Sequence, residues 1–259
     1  MKRFRSLFRP QSLELCRSFL RAELHLMEQG SPLGFALAFA NNVLMLLMFH
    51  LLFVQRFLTG VANSWVYLLL GIVQWNLYVN VSLAGFSCLV YRQKLVMGFS
   101  FRRELLIFAR TGAVFVPYLG ELAIILGVAR FFHLPVTWKY LLVPVMLASQ
   151  FFFCAGLCCL FAVIGAIHKN VLPWWNITFR LISFATPIFY LPGYLGPTWN
   201  KIYSWNPFTV YMMWIRDIVG TNGFPIQFSI GRIAFGSVGV FVLGYWTFRT
   251  LEKKVGDSL

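Results

Sequence analysis

The residues of this chain best able to do chemistry are cations, and they are concentrated in one place. Arg92, Lys94, Arg102, Arg103 and Arg110 fall within a short stretch in which Glu104 is the only acid. Such a cluster suits either nucleic acid or the cytoplasmic edge of a membrane, where short basic loops are retained. Acid/base catalysis is poorly served, because the chain has eight carboxylates and no paired Asp or Glu motif among them. Its five cysteines (Cys16, Cys88, Cys154, Cys158 and Cys159) include no C-x-x-C spacing and lie mostly in apolar runs. Thiols there behave as small hydrophobes, so neither a metal site nor a disulfide framework is expected. The phosphate-binding G-x-x-x-x-G-K-[ST], the dinucleotide G-x-G-x-x-G, H-E-x-x-H and G-x-S-x-G are all missing. Two charges, Glu121 and Arg180, fall inside apolar runs, where facing lipid costs about 2.5–3.5 kcal/mol or more. Both are therefore expected to face protein or water.

The elements that carry these residues are apolar. The chain is 59% hydrophobic, 18% aromatic and 12% charged, with a mean hydropathy of +0.72. That composition excludes an ordinary soluble globule and predicts an all-α polytopic membrane protein. A net charge of +14 then reflects topology; no basic patch interleaves with exposed aromatics, so nucleic acid is rejected as a partner. From Phe57 to Tyr91 there is no charged residue, well beyond the ~20 apolar residues that a crossing needs. Six transmembrane helices are expected near Phe35–Val54, Trp65–Val90, Leu105–Ala129, Tyr140–Ile167, Val171–Tyr190 and Ile226–Phe248, in one domain covering 1–259. With that layout, fifteen of the 22 cations lie inside, six lie outside or at the outer edge, and Arg180 stays in the membrane. Both termini, including the tail 249–259, are expected in the cytoplasm.

The first 30 residues lack the apolar core and small-residue cleavage site of a signal peptide. From Ser12 to Met27, Leu13, Cys16, Leu20, Leu24 and Met27 share one helical face, while Glu14, Arg17, Ser18, Arg21 and His25 share the other. This is the pattern of an amphipathic helix at the membrane interface. Glu23 falls on the apolar side and breaks it. Gln29-Gly30-Ser31-Pro32 ends the helix, and Leu33-Gly34 leads into the first span.

Two connections carry most of the remaining information. Between spans two and three, Tyr91, Arg92, Gln93, Lys94, Leu95, Val96 and Met97 make two helical turns, and a helix restarts at Phe101-Arg102-Arg103-Glu104-Leu105-Leu106 after Gly98 and Ser100. That loop is a topogenic anchor or, as a short helix between spans, a handle. Between spans five and six, Leu191 to Pro225 carries four prolines among Tyr194, Trp199, Tyr203, Trp205, Tyr211 and Trp214. It is too broken for a span and too aromatic for a free loop, so it forms either short re-entrant helices or an aromatic belt.

In their order along the chain, these motifs resemble the polysaccharide exporters of the ABC-2 permease family, which handle O-antigen, teichoic acid and capsule. The likeness rests on the interface helix with its Ser31-Pro32-Leu33-Gly34 turn and on the Phe101-Arg102-Arg103-Glu104-Leu105 run after the basic segment. It continues through Ala185-Thr186-Pro187-Ile188-Phe189-Tyr190, Asn206-Pro207-Phe208, Arg216-Asp217 and the tail Leu251-Glu252-Lys253-Lys254. It departs after the fourth span, where many relatives have an Arg-Asp pair and this chain has His168-Lys169-Asn170. The resemblance implies a transporter subunit rather than an enzyme, working as a homodimer with two copies of a separate ATPase. ATP and Mg would be bound by that partner and no cofactor by this chain. It also implies that Tyr91 to Met97, with Arg102, Arg103 and Glu104, couple to the ATPase. Ser31, Leu33 and Gly34 would form the interface turn, and Tyr190, Asn206, Pro207, Arg216 and Asp217 an external gate. The implied cargo is a lipid-linked polysaccharide crossing the bacterial inner membrane. A permease for a drug or another lipid is the alternative, and a membrane-embedded transferase a third.

Sugars offer C–H faces to aromatic rings. Trp75, Tyr78, Phe152, Phe153, Trp174, Trp175 and Phe179 are therefore candidates for a translocation path, against plain packing for any one of them. Arg180 either lines that path or meets the lipid diphosphate, against internal pairing or snorkelling to the cytoplasmic edge. Glu121, His50, Asn41 and Asn42 are expected to hold helices together.

Overall fold

The computed structural model describes residues 10–26, 32–57, 63–93, 98, 101–131, 134, 137–168, 170–192, 196, 198–199, 203, 205–221 and 230–258. Among them all regular structure is helical. In chain order the helices are α1 (Pro10–Leu26), α2 (Pro32–Phe57), α3 (Ser64–Cys88) and α4 (Arg103–Phe131). A 3-10 turn (Trp138–Leu142) then opens α5 (Val143–Ile167), followed by α6 (Val171–Ala185), α7 (Pro207–Val219) and α8 (Ile230–Ser258). Ser64–Cys88, Arg103–Phe131 and Trp138–Ile167 combine the length and hydropathy of a membrane crossing. This is a helical membrane protein.

A helix apolar on every side has no face to offer water, so it becomes the centre. That helix is α3: Val66 to Trp75 are buried without interruption, and α2, α4, α5, α6 and α7 all pack against it. The longest contact runs between α5 and α8, because glycine lets the two backbones touch. A Cβ added at Gly156 would lie 2.6 Å from the carbonyl oxygen of Val240, the small-residue crossing by which helices associate in lipid.

Helix α1 has the expected faces among its described side chains: Glu14, Arg17, Ser18, Arg21 and His25 are exposed, while Cys16, Leu20 and Leu24 turn inward along α4; the Leu13 side chain and Met27 lie outside the described residues. Phe19 meets Phe101 with ring centroids 5.3 Å apart.

Two helix limits differ from the sequence expectation. The fifth helix stops at Ala185 rather than Tyr190: its 15 residues span about 22 Å, short of the ~30 Å hydrocarbon layer. Pro187 is the reason, since the residue before a proline is pushed out of the helical region. Thr186 is extended, at φ −99° and ψ 133°. The last helix runs on to Ser258, through the segment expected to be a tail, because nothing from Thr250 to Lys254 breaks a helix. Ile226 to Ser229, the expected start of that helix, lie outside the described residues.

Candidate functional site

At one end of the bundle the helices are tied by two buried carboxylates. Glu23 is fully buried, and its oxygens lie 2.6 Å from Arg92 and 2.6 Å from Arg110. One acid on α1 thus holds both the segment that follows α3 and the first half of α4. This explains why Glu23 interrupts the apolar face: the face packs against cations as well as hydrophobes. Glu104 is 1% exposed and receives Arg249 at 3.1 Å and the Tyr245 hydroxyl at 3.4 Å, both from α8. Arg103 donates to the Glu252 carbonyl at 3.1 Å, and Arg249 also meets Glu252 at 3.2 Å.

The residues expected to couple to an ATPase therefore divide. Tyr91 is exposed, Arg92 is held by Glu23, Gln93 and Arg102 are half-buried, and Arg103 and Glu104 face α8. Lys94, Leu95, Val96 and Met97 lie outside the described residues, as does Ser31 of the interface turn. Leu33 is exposed and Gly34 half-buried in the first turn of α2, where Pro32 is tolerated because no helical N–H is required.

At the opposite end, Arg216, one of the residues expected to form an external gate, is enclosed by Tyr67, Pro187 and Ile188. Its guanidinium is fully buried and donates to the carbonyls of Tyr67 (3.1 and 2.9 Å), Pro187 (2.8 Å) and Ile188 (2.9 Å). It also lies 3.4 Å above the centre of the Tyr67 ring, and among the described residues no carboxylate meets it. Helix α7 owes its position to local rules. Asn206 caps it by accepting from the Phe208 N–H at 3.1 Å, Pro207 takes the first position, and Gly220 ends it at φ 81°. Asn206 also reaches the Thr186 hydroxyl at 3.4 Å. Tyr67 donates to the Tyr190 carbonyl at 3.0 Å, and the Tyr190 hydroxyl lies 3.1 Å from that of Tyr203. Asp217 points the other way, to Lys139 at 2.8 Å.

The aromatic candidates are brought together, but mostly with one another. Trp75, Tyr78, Phe153 and Phe179 are buried around Phe208, whose ring centroid lies 4.8–6.1 Å from all four. Trp175 is half-buried beside Phe161 and Phe179. Phe152 and Trp174 reach the surface of the single chain, and Arg180 is exposed there too.

Halfway along the bundle, polar side chains meet. Asn42 donates to Glu121 at 3.0 Å, and Asn76 donates to Asn42 at 2.6 Å. Tyr118 donates to Gln74 at 2.7 Å and Gln74 to Tyr78 at 2.8 Å. The expected interhelical role of Asn42 and Glu121 is what these contacts perform. The His50 side chain lies outside the described residues.

Sequence reasoning missed Tyr67, whose backbone oxygen and ring both serve Arg216, and nothing local marks it. It also left Glu23 unexplained, although a lone acid on an apolar face within a cation-rich chain was a usable signal. Among the described residues no group of His, Cys, Asp and Glu is placed to hold a metal. No family model matches the chain, and no curated protein matches it.

Proposed function

We propose that this chain is the membrane subunit of an ATP-driven exporter of the ABC-2 type, carrying a lipid-linked polysaccharide out of the cytoplasm across the bacterial inner membrane. Six crossings, with both termini inside, complete the reading, the fifth made by α6 together with the buried non-helical residues 186–188 that follow it. A second copy of the chain and two copies of a separate ATPase make up the machine, and α7 with the chain around it forms the outer gate.

One observation carries this reading furthest. Glu23 couples an amphipathic helix, the start of the basic segment and a long apolar helix into a single unit through two ion pairs of 2.6 Å. A push on the segment after Tyr91 cannot then be absorbed locally. It moves α1 and α4 together, as an element driven from outside the chain must. The exposed apolar stripe on α6 (Trp174, Ile177, Leu181 and Phe184), with Arg180 on the same helix, fits a wall shared with a second copy around a path for a lipid diphosphate.

Purification of the tagged chain from its native membrane tests the first half. A second polypeptide bearing a P-loop is expected to accompany it, and recovery of the lone chain with full activity would contradict the proposal. Cells lacking the chain are expected to accumulate lipid-linked glycan on the cytoplasmic side. Normal glycan export with failed efflux of a drug would favour the small-molecule permease instead.

A further inference from the structure

Two opposite charges are left over inside the bundle. Glu121 is 8% exposed and lines a pocket of about 210 Å³ between α2, α3 and α4. Asn42 donates to one of its oxygens at 3.0 Å; among the described residues the other oxygen has no hydrogen bond and no cation meets either. Arg180 is exposed on α6, and among the described residues no carboxylate meets its guanidinium. The other described acids are already spent. Glu23 holds Arg92 and Arg110, Glu104 and Glu252 share Arg249, and Asp217 holds Lys139, while Glu14 stands on the exposed face of α1.

The two charges lie at one depth. Asn76, the middle residue of the 25 in α3, lines the pocket, and its neighbour Trp75 holds its ring centroid 4.6 Å from that of Phe179, the residue before Arg180. Successive residues of a helix point about 100° apart, so Trp75 faces α6 while Asn76 faces the pocket. Arg180 and Glu121 therefore sit on different sides of α3 and make no contact within the chain. Left toward lipid at that depth, either charge is costly. The pocket mouth, where Asn41 and Asn80 are exposed, opens sideways to the bilayer, so what compensates Glu121 comes on another membrane helix and not from water. A two-fold axis along the membrane normal relates equal depths, and it can set each Arg180 opposite the partner's Glu121.

We propose that Arg180 of one copy forms an ion pair with the partner's Glu121, and Glu121 with the partner's Arg180, across a two-fold interface inside the membrane. The guanidinium brings its own N–H donors, so it needs from the pocket only the carboxylate oxygen that Asn42 leaves free. The surfaces around the two charges suit each other. Ile177 and Phe184 flank Arg180 on one face of α6, and Leu37 and Leu44 flank Asn41 on one face of α2; all four are exposed and apolar. This inference rests on the second copy in the export reading, and on neither its cargo nor its ATPase. Arg180 is then part of the wall between the copies.

Full-length copies bearing two different tags are co-expressed without any ATPase subunit, and retention of the second tag is measured after capture of the first in mild detergent. Wild-type copies are expected to hold each other. Arg180→Glu copies should not, because acid then faces acid at both contacts, and Glu121→Arg copies should not, because cation faces cation. Arg180→Glu copies expressed with Glu121→Arg copies should recover wild-type retention, since each contact again joins one acid to one cation. Neither an ion pair within one copy nor a general folding defect gives that recovery. If a reversed variant fails to reach the membrane, Arg180→Gln and Glu121→Gln are used. Each is expected to lower retention by on the order of tenfold or more, with no further fall when both are made together. Wild-type copies that do not hold each other overturn the pairing together with the second copy of the export reading. Wild-type copies that do hold each other overturn the pairing alone if the variants retain as well as wild type, if the mixture of reversed variants does not recover, or if the neutral losses add.

Discussion

A carboxylate shut away from water persists where cations share it, and Glu23 meets that condition through Arg92 and Arg110. Glu23→Gln leaves the shape but removes the charge, and is expected to weaken the docking of α1 by roughly 3 kcal/mol. Cys16 reports on this directly. Its thiol is half-buried against α4, burial raises its pKa, and the other four cysteines are buried. Maleimide labelling of Cys16 should quicken by on the order of tenfold or more in Glu23→Gln; an unchanged rate would mean that apolar contact alone holds α1. Arg216 makes a second case. Lysine cannot reach three carbonyls from one rigid fork, so Arg216→Lys is expected to lower stability by about 3 kcal/mol, read as a fall in melting temperature. Gly71→Ala should reproduce that loss, because its Cβ would collide with the Arg216 guanidinium. The two changes together should be less than additive, since both break the same contact. The cations and acids were visible in the sequence. Their pairing was not, because Glu23 and Arg110 are 87 residues apart.

Helices were the most legible level. Long uncharged apolar runs set α3 and α5, and the alternation of polar and apolar positions set α1, because burial follows side-chain chemistry at a fixed helical period. Their ends were less legible even where a local rule decides them: Pro187 stops α6 at Ala185, five residues before the expected limit, and the continuation of α8 past Phe248, where no residue from Thr250 to Lys254 breaks a helix, was expected as a tail. The α5–α8 crossing gives a test at this scale. Gly244 lies directly against the Gly156 backbone, so Gly244→Leu must separate the helices. It is expected to cost more than about 3 kcal/mol as overpacking at a backbone contact, seen as loss of the monodisperse peak in detergent. Gly239→Leu, where an added Cβ meets nothing, should elute as the wild type does.

For the whole molecule, the proposed export reading predicts that vesicles holding this chain alone move no glycan, and that adding the ATPase with ATP starts transport. Transport by the lone chain would sink that reading. By itself the amino-acid sequence determined that this is a helical membrane protein with a basic segment between two apolar helices and a broken aromatic region before the last one. Those properties are local sums of hydropathy, charge and proline, and they need no knowledge of distant neighbours. Only the tertiary structure decided which charges are spent on holding the fold. Arg216 and Glu104, candidates for gate and coupling on sequence, are enclosed by carbonyls and by Arg249. Trp75, Tyr78, Phe153 and Phe179 close around Phe208, and Glu121 is left beside a ring of carboxamides. Which side chain meets which depends on how helices far apart in the chain turn toward each other, and that is fixed by packing across the bundle rather than within any one helix.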